Sequence, residues 1–109
     1  MAIQLVYMTM GDTEEARRIG RALIESRLAA CVNLIAPMHA LYRWQGKIQE
    51  DQEVVMIAKT TSDRVSQLKE KVVSLHSYEC PCVVCLPIED GHGPFLDWIR
   101  EQVAWKEKE

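Results

Sequence analysis

No apolar run of about 18 residues occurs in the 109-residue chain, so no membrane-spanning helix is expected. Internal repeats, low-complexity tracts and Ser/Gly-rich linkers are lacking as well. At about 100–150 residues per domain, residues 1–109 read as a single domain. Positive charge is short: 13 Lys and Arg stand against 16 Asp and Glu, a formal net charge of −3. A domain that grips nucleic acid through its phosphates carries the opposite excess, so no nucleic-acid partner is expected. The first residues, Met1-Ala2-Ile3-Gln4-Leu5-Val6-Tyr7, have neither a basic n-region nor a long apolar h-region. The expectation is a cytoplasmic protein without a secretory signal. No Ser-His-Asp arrangement is visible, and Gly91-His92-Gly93 is too short a glycine run to cradle a phosphate. No enzymatic activity is expected.

Apolar material is ample. Hydrophobic residues make up 48% and charged residues 27%, which excludes a disordered chain. Four cysteines are present, Cys31, Cys80, Cys82 and Cys85, and three of them crowd into Cys80-Pro81-Cys82-Val83-Val84-Cys85. With this much core, and in a reducing compartment, they read as free thiols and small hydrophobes rather than a disulfide frame.

Hydrophobic spacing orders the chain. Residues 3–9 read as a strand ended by Gly11. Asp12, three residues before Glu15, resembles a capping box, and Ala16, Ile19 and Leu23 continue a helix over 13–27. Residues 30–44 and 47–60 read as strands joined by a two-residue turn, Gln45-Gly46, with Gly46 supplying a positive φ. Tyr42 and Trp44 share one face of that hairpin. Ser62 is the expected N-cap of a helix over 62–75 with a Val65, Leu68, Val72 and Leu75 stripe. A strand over 82–88 lies between Pro81 and Pro87, and Pro94 suits the first position of a last helix. Trp105 and the charged tail, 106–109, are expected to fray. The order β-α-β-β-α-β plus a terminal helix resolves into a ferredoxin-like α+β sandwich with an antiparallel sheet. One sheet face lies under the helices and the other is bare.

Two strands of about 14 residues would reach roughly 45 Å at about 3.3 Å per residue. A compact chain of this size has a diameter of roughly 34 Å. The hairpin must bend, for which Pro37 is a candidate, or project and be covered by another copy. With the bare sheet face, this favours a homo-oligomer.

Several segments, in order and with matching spacing, resemble the CutA family of divalent-cation tolerance proteins. They are Leu28-Ala29-Ala30-Cys31-Val32-Asn33, Tyr42-Arg43-Trp44-Gln45-Gly46-Lys47, His76-Ser77-Tyr78-Glu79-Cys80-Pro81, and Leu86-Pro87-Ile88 with Asp97-Trp98-Ile99. The resemblance implies a homotrimer of ferredoxin-like subunits, similar to the PII signalling proteins, with a role in copper and divalent-metal tolerance. It departs from copper-binding relatives in having Met8 for a cysteine, Leu75-His76 for adjacent histidines, and Cys82 after the proline.

Met8, His76, Cys80 and Cys82 form the candidate metal set, soft and borderline ligands suited to copper or another divalent metal. Cys80 and Cys82 fall on the same side of an extended chain, whereas Cys85 has the opposite parity. A capping role competes for His76, because a histidine near a helix C-terminus is favoured by the dipole. Tyr42, Trp44, Lys47, Glu50, Glu53, Lys59, Tyr78 and Glu79 are candidates for an inter-subunit cleft of aromatics, carboxylates and amines. Such a cleft suits a small anion or metal complex. The expected function is a metal-binding trimer. The alternative is a PII-like signalling module that holds a small ligand in the cleft and acts through a protein partner. A hydrolase using Glu53 or Glu79 as base lacks any second positioned group.

Overall fold

The computed structural model describes residues 2–104. Trp105 and the tail beyond it lie outside the described residues. The elements are β1 (Ile3–Met10), α1 (Thr13–Glu25), β2 (Cys31–Trp44), β3 (Lys47–Thr61), a single 3-10 turn (Ser62–Arg64), α2 (Val65–Leu75), β4 (Val83–Pro87) and α3 (Gly93–Gln102). The four strands form one antiparallel sheet in the order β2-β3-β1-β4. This is the expected ferredoxin-like order of elements.

Strand alternation divides the sheet into two chemically distinct faces. Val6, Met8 and Met10 of β1 point to the helices with Val54, Met56 and Ala58 of β3. Ala16, Ile19 and Leu23 of α1 and Leu68 and Val72 of α2 close that core. Gly20 lets α1 approach the sheet: a Cβ there would lie 3.0 Å from Val32 Cγ2 and 3.3 Å from Met56 Cε. The opposite face carries Ile35, Val84 and Leu86, each more than half exposed at 52%, 52% and 54%. At one end of the sheet α3 contacts β1 and β3, and Ile99 and Val103 are buried there along with the cross-strand pair Ile3 and Thr61.

The hairpin both bends and projects. Register slips between Ile35 and Met38, where two residues of β2 oppose one of β3, and the Ala36–Pro37 peptide is cis. The molecule still measures 48 × 31 × 21 Å, longer than a compact chain of this size. Gln45 and Gly46 both take positive φ, 51° and 81°, the arrangement of a type I′ turn that matches strand twist.

The helix ends differ from expectation in three places. Asp12 caps α1 by accepting from Glu15 N–H at 2.8 Å, but Glu15 does not return a bond to Asp12. Its carboxylate accepts instead from Gly11 N–H at 3.3 Å and from Ser77 N–H at 2.7 Å. Ser62 does not cap α2. It opens the 3-10 turn while Thr61 Oγ1 donates to Asp63, so α2 proper begins at Val65. Helix α1 stops at Glu25, two residues early, because Arg27 is left-handed at φ 59°. Arg27 N–H then reaches Ile24 O at 3.1 Å and Leu28 N–H reaches Leu23 O at 2.9 Å, a Schellman ending without glycine. The Arg27 guanidinium donates to Gln102 O at 2.8 Å and so ties this corner to α3.

Arg27→Ala keeps the left-handed strain and loses the guanidinium bond, whereas Arg27→Gly loses only the bond. Urea denaturation should therefore find the alanine variant less stable than the glycine variant by about 1 kcal/mol. Equal stabilities would show that Arg27 carries no backbone strain.

Candidate functional site

Residues 76–82 run from the end of α2 to β4 and form one wall of the site. Their path is fixed by polar bonds, two of them part-buried. The His76 ring is fully buried; its Nε2 lies 2.7 Å from Thr9 O, and its Nδ1 accepts from Tyr78 N–H at 3.0 Å. Because Nδ1 accepts, the proton sits on Nε2 and is donated to the Thr9 carbonyl. Glu15, 6% exposed, accepts from Ser77 N–H and lies 3.8 Å from His76 Nδ1. Burial pushes its carboxyl upward, but the hydrogen bonds from Ser77 and Gly11 outweigh that and hold it below the ordinary value.

Tyr78 then turns toward the sheet. Its ring lies 4.6 Å from His76 by centroids, and its hydroxyl donates to Glu53 Oε1 at 2.8 Å. On the hairpin, the Tyr42 hydroxyl donates diagonally to Asp51. Both phenols titrate above the ordinary tyrosine range: Tyr78 through burial and then the Glu53 bond, Tyr42 first through the Asp51 bond.

Between these walls lies a cleft of about 430 Å³. Tyr42 and Trp44 line it from the hairpin, and Thr9 and Glu53 from the sheet. Tyr78, Glu79, Cys80 and Cys82 line it from the loop. Five of the eight expected cleft residues are thus brought together, with Cys80 and Cys82 beside them. The other three are not. Glu50 has the opposite strand parity to Glu53 and faces away. Lys47, at the hairpin tip, is not among the lining residues. Lys59 is six residues along β3 from Glu53, roughly 20 Å at about 3.3 Å per residue. It donates to Asn33 and lies 3.8 Å from Cys31 Sγ. The expected amines are therefore absent from the cleft, and its lining is acidic.

The candidate metal set is also divided. Met8 is completely buried and points into the helix-side core, while its neighbour Thr9 faces the cleft. Both ring nitrogens of His76 are engaged, so it holds the loop rather than offering a free lone pair. Cys85 packs against the core, as its parity implied. Cys80 is exposed and Cys82 half-buried, both unpaired. Among the described residues no three His, Cys, Asp or Glu side chains converge to hold a metal ion. Thr9 and Glu15 escaped the sequence reading. The only signal for Glu15 was its place three residues after a cap, which explains a helix end and not a tie 62 residues away.

The family pattern described as CutA1 divalent ion tolerance protein matches residues 4–102. The Divalent-cation tolerance protein CutA of Thermus thermophilus is 47% identical over 101 residues, covering 93% of this chain and 98% of that protein. Human Protein CutA is 44% identical over 100 residues, and there the chain spans 56% of the relative. Among solved structures, Cut A1 of Thermus thermophilus superposes with a TM-score of 0.90 at 46% identity, covering 92% of this chain and 97% of that one. CutA from Xylella fastidiosa gives 0.92 at 32% identity, covering 94% and 99%. A four-stranded antiparallel sheet of this order, packed on two helices, defines an α+β protein of the ferredoxin-like type. The chain belongs to the CutA1 family of divalent-ion tolerance proteins.

The tie through Glu15 has a definite pH signature. Its carboxyl titrates lower when folded than when unfolded, so its stabilisation is complete above the ordinary value of 4.5 and is lost as pH falls through the folded value. Glu15→Gln should destabilise the protein at pH 7 by about 1–3 kcal/mol in urea denaturation. The gap should narrow as pH falls through the folded value, where the parent carboxyl takes up its proton. A gap independent of pH would show that the charge of Glu15 contributes nothing.

Proposed function

We propose that this chain acts in divalent-cation tolerance as a cytoplasmic homotrimer that binds metal, works by binding and not by catalysis, and takes copper through Cys80 and Cys82. The observation that carries the metal reading is the pair of unpaired thiols on one wall of the cleft. Thiolates select soft ions, and two ligands without a third suit Cu(I), which accepts low coordination, better than a hard divalent ion. Family membership supports the tolerance role. The trimer is supported by the half-exposed Ile35, Val84 and Leu86 on the sheet and by the 48 Å length that the hairpin imposes. The cytoplasm, where thiols stay reduced, suits a dithiolate site. The volume of the cleft favours a second reading, a PII-like module that responds to a small ligand and signals through a protein partner.

Copper(I) titration of the reduced protein tests the first reading. Replacing Cys80 and Cys82 together with serine should weaken binding at least tenfold, about 1.4 kcal/mol, and affinity in the parent should rise from pH 5 to pH 8 as the thiols ionise. Unchanged copper binding in the double variant would remove the thiols from the site.

Light scattering should give a mass near three times 12.5 kDa. Val84→Asp should break the assembly, since a charge on a covered face costs several kcal/mol, while on a bare face it costs about 0.5 kcal/mol or less. A parent monomer at micromolar concentration would overturn the trimer.

A further inference from the structure

Apart from its thiols, the cleft is built of three aromatic rings and two carboxylates, and among the described residues no basic side chain lines it. We propose that it binds a small organic cation, an alkylammonium group with an apolar body, held against the faces of Trp44, Tyr42 and Tyr78 with Glu53 and Glu79 as counter-charges. This goes beyond the copper reading, because it uses the rings and carboxylates and leaves the thiols aside.

Three features select this class of ligand. The first is charge. A carboxylate or phosphate ligand would face Glu53 and Glu79 with no cationic donor among the described lining residues to answer it. The second is charge density. A hard divalent cation takes six or more oxygens, and among the described residues no three His, Cys, Asp or Glu side chains converge to anchor one. A large, weakly hydrated ammonium needs ring faces and a net negative surround, which the cleft supplies. The third is preorganisation. The Tyr78 and Tyr42 hydroxyls are spent on Glu53 and Asp51, which fixes ring orientation before any ligand arrives. With those donors engaged, the second oxygen of Glu53 and the exposed carboxylate of Glu79 are left as acceptors. A volume of about 430 Å³ fits a small apolar body beside the ammonium.

Isothermal titration of the full chain with benzyltrimethylammonium chloride tests this, with sodium benzenesulfonate as the anion of similar size. Saturable binding of the ammonium and none of the sulfonate is expected. Trp44→Ala should weaken it at least about tenfold, while Trp44→Phe, which keeps a ring face, should bind within about threefold of the parent. Glu53→Gln with Glu79→Gln should also weaken it at least about tenfold, since the glutamine oxygen still accepts from Tyr78 and only the charge is lost. Circular dichroism confirms that each variant is folded. If Trp44→Ala does not fold, the double glutamine variant decides. The cysteine-to-serine double variant should bind the ammonium as the parent does, so failure of the copper site and failure of the cation site are read separately. Absence of saturable binding up to about 10 mM, equal binding of the sulfonate, or parent-like binding in the double glutamine variant overturns the proposal.

Discussion

A single buried carboxylate holds the site together. Glu15 lies in the first turn of α1, where its charge is favoured by the helix dipole, yet its oxygens serve Gly11 on one side and Ser77 on the other. His76 adds a second tie, to the Thr9 carbonyl. Thr9 belongs to β1, one of the two central strands of the sheet, and is paired there with Val55 of β3. Through these bonds the irregular loop inherits the position of a central strand. Tyr78, Glu79, Cys80 and Cys82 face the cleft because the chain just before them cannot move away from β1.

Local rules were legible in the sequence and long-range partners were not. The apolar stripes of α1 and α2, the Gln45-Gly46 turn and the order of strands all follow from spacing of a few residues. The parity that sends Cys85 to the core was legible too. The same parity puts Met8 with Val6 and Met10 in the core, so its thioether serves packing and not ligation. For His76 the deciding partner is a carbonyl 67 residues away, and nothing in its neighbours announces it. Lys59 and Glu53 are close in sequence, yet six residues of extended chain set them roughly 20 Å apart. Arg27 hid the end of α1, since a left-handed residue is expected to be glycine or asparagine.

The distribution of charge within the hairpin separates two kinds of surface. Its basic residues stand at the ends of the strands, with Lys47 at the turn and Lys59 paired with Asn33 near the base. Of its three carboxylates, Asp51 and Glu53 share one face and are each bonded to a phenol, while Glu50 faces the other way. A phenol that donates to a carboxylate is held neutral by that bond. The cleft is therefore acidic by construction, and that sign follows from side chains that also fix its shape.

The hairpin raises a separate physical problem. Beyond the bulge at Ile35 and Met38 its two strands have only each other within the subunit, and a two-stranded ribbon is marginal in water. Leu41 and Ile48, 67% and 71% exposed, lie on one side of it, and Tyr42 and Trp44 on the other. The bare half of the sheet offers Ile35, Val84 and Leu86, again without cover. Each surface supplies what the other needs, so packing the hairpin of one copy on the sheet of the next would satisfy both in the proposed trimer. Tyr42 and Trp44 are cleft walls as well as hairpin residues. Whatever steadies the hairpin therefore steadies the cleft, and a ligand that binds the ordered cleft stabilises the assembly by the same free energy.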